Sequence, residues 1–242
     1  MSFIKDIINF VLPARCCICG KILDKDKGFC DECISKIEFL KSPICYKCGA
    51  PLFEQAVSTS NKLLCGNCLK HKRNTPFRII RSASLYDDFS KRLILDFKFY
   101  DKTDLAPLLA KMLYVAGKDI FASGVDVIIP VPLHYTRLIQ RRYNQSALLA
   151  NELGKLTNIE VDLQILIKRK ITKAQVECGG SERLTNVKGA FYLKDVNKLK
   201  NKRVLLIDDV LTTGATLNEC AKTIKSAKPK SIDALTISRS II

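Results

Sequence analysis

The sequence predicts an α/β protein, a parallel sheet flanked by helices, with a small metal-clasped module in front of it. Three observations predict this. Eight cysteines fall into four C-x-x-C pairs before residue 69. Beyond residue 77, apolar runs of strand length alternate with amphipathic runs of helix length, the pattern of a parallel sheet covered on both faces. One of those runs, residues 204–207, ends in two acids, a turn rich in threonine, and a helix pattern. The 242 residues allow one α/β domain of ordinary size plus an appendage.

Residues 3–12 come first. Phe3, Ile4, Ile7, Ile8 and Val11 share one helical face, interrupted by Lys5 and Asp6. A short amphipathic helix docked on its own protein is expected. A signal peptide is the competing reading; the short apolar region and Arg15 right after Pro13-Ala14 speak against it. No stretch reaches the roughly 18 uninterrupted apolar residues of a membrane helix. No membrane insertion is expected, and a cytoplasmic location is.

The cysteines follow. Of 11 in the chain, nine precede residue 69. The pairs are Cys16/Cys19, Cys30/Cys33, Cys45/Cys48 and Cys65/Cys68. A C-x-x-C knuckle aims two thiolates at one tetrahedral ion, and two knuckles complete a four-coordinate site. Four knuckles suit two structural zinc ions, with no position left for a catalytic water. Metal would then supply much of the module's folding free energy. Sequential pairing is simplest; a crossed arrangement, first with third and second with fourth, stays open. Disulfides would need an oxidising compartment, and redox C-x-x-C motifs usually come singly on a βαβ frame. Cys17 is an extra thiol inside the first knuckle, and His71 a reserve ligand. Gly20 and Gly49 each follow a knuckle, where a tight turn often needs positive φ.

A polar stretch at residues 70–76 ends in Pro76 and reads as a linker. The expected division is therefore 1–75 and 76–242. In the second part, 78–85 reads as a strand, 90–99 and 104–116 as helices, and 125–131 as a buried parallel strand. Residues 144–156 read as a helix, and 159–167 and 190–193 as weaker strands. Residues 203–209 read as a strand, 215–227 as a helix and 232–238 as a closing strand.

The chemistry lies in Val204-Leu205-Leu206-Ile207-Asp208-Asp209-Val210-Leu211-Thr212-Thr213-Gly214-Ala215-Thr216. Ligands of open α/β sheets bind beyond the carboxyl ends of the strands. The loop and first helical turn offer backbone N–H groups and the positive end of the helix dipole. Thr212, Thr213 and Thr216 add hydroxyls, and Gly214 lets the backbone curl around an anion. Asp208 and Asp209 would repel a phosphate but accept hydrogen bonds from vicinal hydroxyls. A phosphate beside a diol is a ribose 5-phosphate. A Walker A loop is excluded for lack of Gly-Lys-Ser/Thr, and no Gly-x-Gly-x-x-Gly follows a strand.

This string resembles the motif by which type I phosphoribosyltransferases bind 5-phosphoribosyl-1-pyrophosphate (PRPP). The resemblance implies that Asp208 and Asp209 hold the ribose hydroxyls and that Leu211, Thr212, Thr213, Gly214, Ala215 and Thr216 hold the 5-phosphate. The whole chain resembles the ComF family of competence-associated proteins, which join a double zinc ribbon to this fold. The matching residues include Tyr86, Phe97-Lys98-Phe99-Tyr100 and Ile129-Pro130-Val131-Pro132-Leu133-His134. They continue with Arg137, Arg141, Tyr143-Asn144-Gln145, Lys170-x-Thr172-x-x-Gln175, Arg183, Asn186 and Gly189-Ala190-Phe191. Arg142 stands where the family usually has glycine, and Asp88 where glycine often follows Tyr-Asp. Lys168 and Lys170 replace usual arginines, keeping charge but losing bidentate geometry. By position, the turn Val131-Pro132-Leu133 matches the pyrophosphate loop. Arg137 and Arg141, with Arg142, supply cations for a ligand of about five negative charges, and Lys98 is placed to reach phosphate. Residues 168–186 match the mobile hood loop. His134 is expected as a packing or turn residue.

The formal charge is +16, or about +12 once two zinc ions sit on eight thiolates. That favours polyanionic partners. The resemblance implies a protein that binds PRPP with Mg²⁺ and works with single-stranded DNA and other competence proteins. Two other readings stay open: an active phosphoribosyltransferase passing phosphoribose to a base or amine, and a non-catalytic PRPP sensor.

Overall fold

The computed structural model describes residues 13–23, 28–52, 57–59, 62–70, 75–170 and 187–241. The expected N-terminal helix, His71, Cys178 and most of the hood segment lie outside the described residues.

The N-terminal module contains two short helices, α1 (Asp31–Ile34) and α2 (Gly66–Lys70), and an antiparallel pair, β1 (Val57–Thr59) and β2 (Lys62–Leu64). Its two halves repeat one backbone pattern. Gly20 donates to the Cys16 carbonyl and Gly49 to the Cys45 carbonyl, each at 2.9 Å. Both glycines have positive φ, +77° and +68°, as the turn reading expects. A Cβ on Gly49 would also stand 2.7 Å from the Ile80 carbonyl oxygen, so this position needs glycine for space as well as for φ.

The sheet domain runs β3 (Ile80–Leu85), α3 (Asp88–Phe99), α4 (Ala106–Ala116), α5 (Lys118–Ala122), β4 (Val127–Pro130), α6 (Tyr135–Arg141) and α7 (Gln145–Thr157). It continues with β5 (Leu166–Lys168), β6 (Phe191–Leu193), β7 (Arg203–Leu211), α8 (Ala215–Lys225) and β8 (Ser231–Arg239). Four strands form the parallel sheet, in the order β3-β8-β7-β4. The central strands β7 and β8 are buried along most of their length, as parallel strands covered on both faces must be.

Strand alternation divides the core in two. Leu205, Ile207, Leu235 and Ile237 face one way and pack with Leu93 and Phe97 of α3, Leu109 and Leu113 of α4, and Leu149 and Leu153 of α7. Val204, Leu206, Ile232 and Ala234 face the other way and pack with Leu217, Cys220, Ala221 and Ile224 of α8. Leu166 and Phe191 of β5 and β6 complete that second layer.

The two weaker strand readings are corrected in one respect. Residues 166–168 and 191–193 do not extend the parallel sheet; they pair with each other, antiparallel. The start of the first segment meets the sheet edge through an isolated parallel bridge of Val161 to Ile128. Helices α5 and α6 were not expected. At five and seven residues they are too short for a 3.6-residue period to emerge from an apolar pattern.

Both sheet edges are covered. At the β3 edge, Leu40 donates to the Ala83 carbonyl at 3.0 Å, Leu85 to the Glu38 carbonyl at 2.8 Å, and Ile80 to the Lys47 carbonyl at 2.9 Å. The Arg81 guanidinium reaches the Tyr46 carbonyl at 3.0 Å, and Arg239 donates to the Cys48 carbonyl. The cysteine module therefore caps an edge that would otherwise present unpaired backbone groups. At the β4 edge, Ile128 donates to Glu160 and Asp162 to Ile128.

Candidate functional site

The four knuckles form two tetrads, paired sequentially: Cys16, Cys19, Cys30 and Cys33, then Cys45, Cys48, Cys65 and Cys68. Within each tetrad all sulfurs lie within 4.8 Å of one another. Cys19 and Cys30 Sγ are 3.6 Å apart, as are Cys48 and Cys65 Sγ. A tetrahedron of sulfurs at the usual zinc bond length has edges of about 3.8 Å. The amides of Cys30 and Cys65 donate to the sulfurs of Cys16 and Cys45, each at 3.4 Å. Burial opposes ionisation of Cys16, but the amides of Cys19, Cys30 and Ile18 outweigh it and lower its thiol to about 6. The tetrads fit two structural zinc ions, and the crossed pairing is excluded. Cys17 stands outside both.

The second centre lies at the carboxyl end of β7. Asp208 and Asp209 are adjacent there and partly exposed. The Ser146 hydroxyl donates to Asp208 Oδ1 at 3.2 Å, and the Asp209 amide donates to the same oxygen at 3.0 Å. Burial pushes the Asp208 carboxyl up to about 7, and the neighbouring Asp209 charge adds to this. Lys98, the Asp209 amide and Ser146 oppose it. Lys98, in the last turn of α3, sits 2.9 Å from Asp209 Oδ2. It meets the acid pair directly.

After the acids the chain turns at Gly214, φ +73°, into α8. Gly214 is the N-cap and contributes no side-chain cap. Thr212, Thr213, Gly214 and Thr216 are all partly exposed, whereas the side chains of Leu211 and Ala215 are buried. The two buried residues can offer a ligand only their backbone. The arrangement is a helix start of 11 residues' length facing outward beside two carboxylates, a place suited to an anion on one side and hydroxyls on the other.

Across β4 lies the turn of residues 131–134. Val131 is buried, Pro132 and Leu133 half-buried. Asn144 Nδ2 donates to the Val131 carbonyl at 3.1 Å, tying the start of α7 to this turn. His134 is buried and is the N-cap of α6. Its Nε2 donates to the Arg169 carbonyl at 3.0 Å, so Nδ1 is the acceptor facing Thr136. It is a turn and packing residue, as expected. Arg137 and Arg141 follow on α6, both half-buried. Arg141 lies 4.6 Å from the centre of the Phe99 ring. Burial lowers the Arg141 guanidinium; Asp209 opposes that and Arg137 adds to it. Arg142 has φ +66°. The left-handed backbone explains why a glycine suits that position.

Two contributors escaped the sequence reading. Ser146, at the first turn of α7, grips Asp208, yet a serine near a helix start reads only as a cap. Lys168, noted as an arginine replacement, lies under the site. Burial, helped by Arg137, pushes its ammonium down to about 8, against Cys220 and Asp208.

A double zinc ribbon domain model matches residues 7–69, and a phosphoribosyl transferase domain model matches residues 144–240. Competence protein F of Haemophilus influenzae is 33% identical over 232 residues, covering 93% of this chain and 96% of that protein. This chain belongs to the competence protein F family. A second family member, competence protein ComFC of Bacillus subtilis, is 26% identical over 224 residues, covering 90% of this chain and 87% of its own. Among solved structures, an allosteric regulatory enzyme of purine biosynthesis aligns with 59% of this chain and 29% of its own at 18% identity and a TM-score of 0.40. The two domain models thus match both halves of this molecule, the cysteine module and the sheet domain from the start of α7 onward. Among the described residues no helix is long and apolar enough to cross a membrane.

Proposed function

We propose that this chain binds PRPP with Mg²⁺ across the carboxyl end of β7 and the start of α8, and serves in the cytoplasmic handling of single-stranded DNA during natural competence. In this reading Asp208 and Asp209 accept hydrogen bonds from the ribose hydroxyls. The amides from Leu211 to Thr216 and the threonine hydroxyls hold the 5-phosphate. The turn at Val131, Pro132 and Leu133, with Arg137 and Arg141, faces the diphosphate.

The observation that carries the reading is the acid pair itself. Two adjacent carboxylates, one pushed up to about 7 by burial and by its neighbour, stand beside an outward-facing helix start. A lone phosphate does not call for the acids, and a lone cation does not call for the helix start. A phosphorylated sugar calls for both. Lys98 now neutralises Asp209; as the ribose hydroxyls take over the acid, Lys98 is free to pair with the diphosphate. Mg²⁺, carried with PRPP, would offset the charge of the diphosphate beside these acids.

The DNA part of the reading is supported by family membership, by relatives named DNA utilization protein YhgH in Escherichia coli, and by the formal charge of +16. The test is a thermal melt of the zinc-loaded protein with PRPP and Mg²⁺. A ligand at a hundred times its Kd should add about 2.7 kcal/mol to stability and raise the melting temperature. Ribose 5-phosphate should do so less, and a base alone not at all. An unmoved melting temperature at millimolar PRPP would defeat the proposal.

A further inference from the structure

We infer that single-stranded nucleic acid lies on an aromatic and arginine surface formed by the end of α3 and the outer face of α6, beside the proposed PRPP site. The inference rests on the DNA reading above and gives it a location.

The surface is unusual for this chain. Helix α6 contains no buried residue, although its sequence includes Tyr135, Leu138 and Ile139, exposed by 63%, 42% and 75%. Next to it, Phe99 and Tyr100 are exposed by 55% and 69%. Phe99, Tyr100 and Tyr135 are the three most exposed aromatic side chains among the described residues, in a chain with only 7% aromatics and no tryptophan. The two elements meet: Arg141 covers the Phe99 ring, Tyr143 donates to the Phe97 carbonyl at 2.7 Å, and Gln145 donates to the Lys98 carbonyl at 3.2 Å.

The charge of this patch selects the partner. Arg137 and Arg141 lie on α6 and Arg142 follows it, and Arg141 stacks over the Phe99 ring. The nearby acids are already matched: Asp101 lies 3.6 Å from Arg142, and Asp96 lies 2.5 Å from Lys102. An apolar protein partner would desolvate Arg141 and Arg142 and bring no new negative charge to them, which is costly. A single strand supplies phosphates for the arginines and base faces for the rings. A duplex keeps its base faces stacked inside and gives the rings nothing to meet.

The test uses the zinc-loaded full chain and a fluorescein-labelled oligothymidylate, read by anisotropy across a salt series. The double variant Y100A/Y135A should bind at least about tenfold more weakly, since stacking one base is worth roughly 1–3 kcal/mol. Its salt slope should be unchanged. The single variant Arg142→Gln should instead flatten the slope by about 0.7. PRPP should shift the melting temperature of the wild type and the double variant equally. A double variant that binds like the wild type would overturn the surface assignment while leaving the DNA reading intact. A wild type that does not bind the oligonucleotide would remove the DNA reading and this inference together. A wild-type dimer in sedimentation, with a monomeric double variant, would assign the face to self-association and overturn the proposal.

Discussion

The cysteine module and the sheet domain are held together by different forces. In the module, the buried clusters are little more than the cysteines themselves: Cys16, Cys30 and Cys33 in one, Cys45, Cys48 and Cys68 in the other. In the sheet domain, two layers of branched and aromatic side chains clamp β7 and β8 from both sides. One half is built around two cysteine tetrads that fit two zinc ions, and the other around apolar burial. Yet they are not independent, because the module covers the β3 edge of the sheet. The tetrad-bearing half therefore covers the edge by which the hydrophobic half could pair with other chains.

The sharpest way to break this comparison is to remove the metal. A structural zinc site contributes on the order of 10 kcal/mol to folding, far more than any single side chain in the core. A strong chelator, or Cys45→Ser, should abolish order in the second half of the module while the sheet domain keeps its circular dichroism. With its edge uncovered, the sheet domain should then aggregate, which light scattering would detect. The converse variant is Leu149→Ala, at a fully buried position on α7. It should cost about 2–5 kcal/mol and leave the zinc content, measured by elemental analysis, unchanged.

A third effect distinguishes the site from the core around it. The Asp208 carboxyl is pushed from its ordinary value up to about 7. Between roughly pH 4 and 7 the folded state keeps a proton that the unfolded state has lost, so stability should fall as pH rises through that window. Above pH 7 this contribution is flat. Asp208→Asn should remove the slope in urea titrations, and at pH 8 it should stabilise the protein while weakening PRPP binding. Sites that gain stability when disabled are those shaped for a ligand.

The smallest effects concern two left-handed backbone positions. Gly214→Ala should destabilise by about 1 kcal/mol, since φ is +73° and a side chain there is strained. Its Cβ would also stand 3.3 Å from Leu211 Cδ1. Arg142→Gly should relieve strain of similar size and raise the melting temperature slightly.

These differences also explain what the sequence made legible. The tetrads were readable because ligand spacing is local: a C-x-x-C pair needs no knowledge of the rest of the chain. The crossed pairing could be excluded only in three dimensions. The long elements α3, α4, α7, β7, α8 and β8 were readable because each spans enough residues for a period to repeat. The acid pair and the glycine turn were contiguous and so could be interpreted together. Other features needed the fold. Helix α6 is short and exposed, and its apolar residues do not face a core. Ser146 reaches Asp208 from another element, and no local signal marks it. Lys98 was expected at the diphosphate, and its ion pair with Asp209 depends on how the end of α3 meets β7. The hairpin of β5 and β6 joins segments more than twenty residues apart, and its antiparallel pairing is not encoded in either segment alone.

The account stands on the acid pair, and one titration addresses it directly. PRPP with Mg²⁺ is injected calorimetrically into the zinc-loaded wild type and into Asp209→Asn. The wild type should saturate with one ligand per chain. The variant should lose at least about tenfold in affinity, the worth of one hydrogen bond to a charged group, with its melting temperature preserved. Equal affinities in the two proteins, or no binding to the wild type, would contradict the claim that β7 ends in a ribose-binding site.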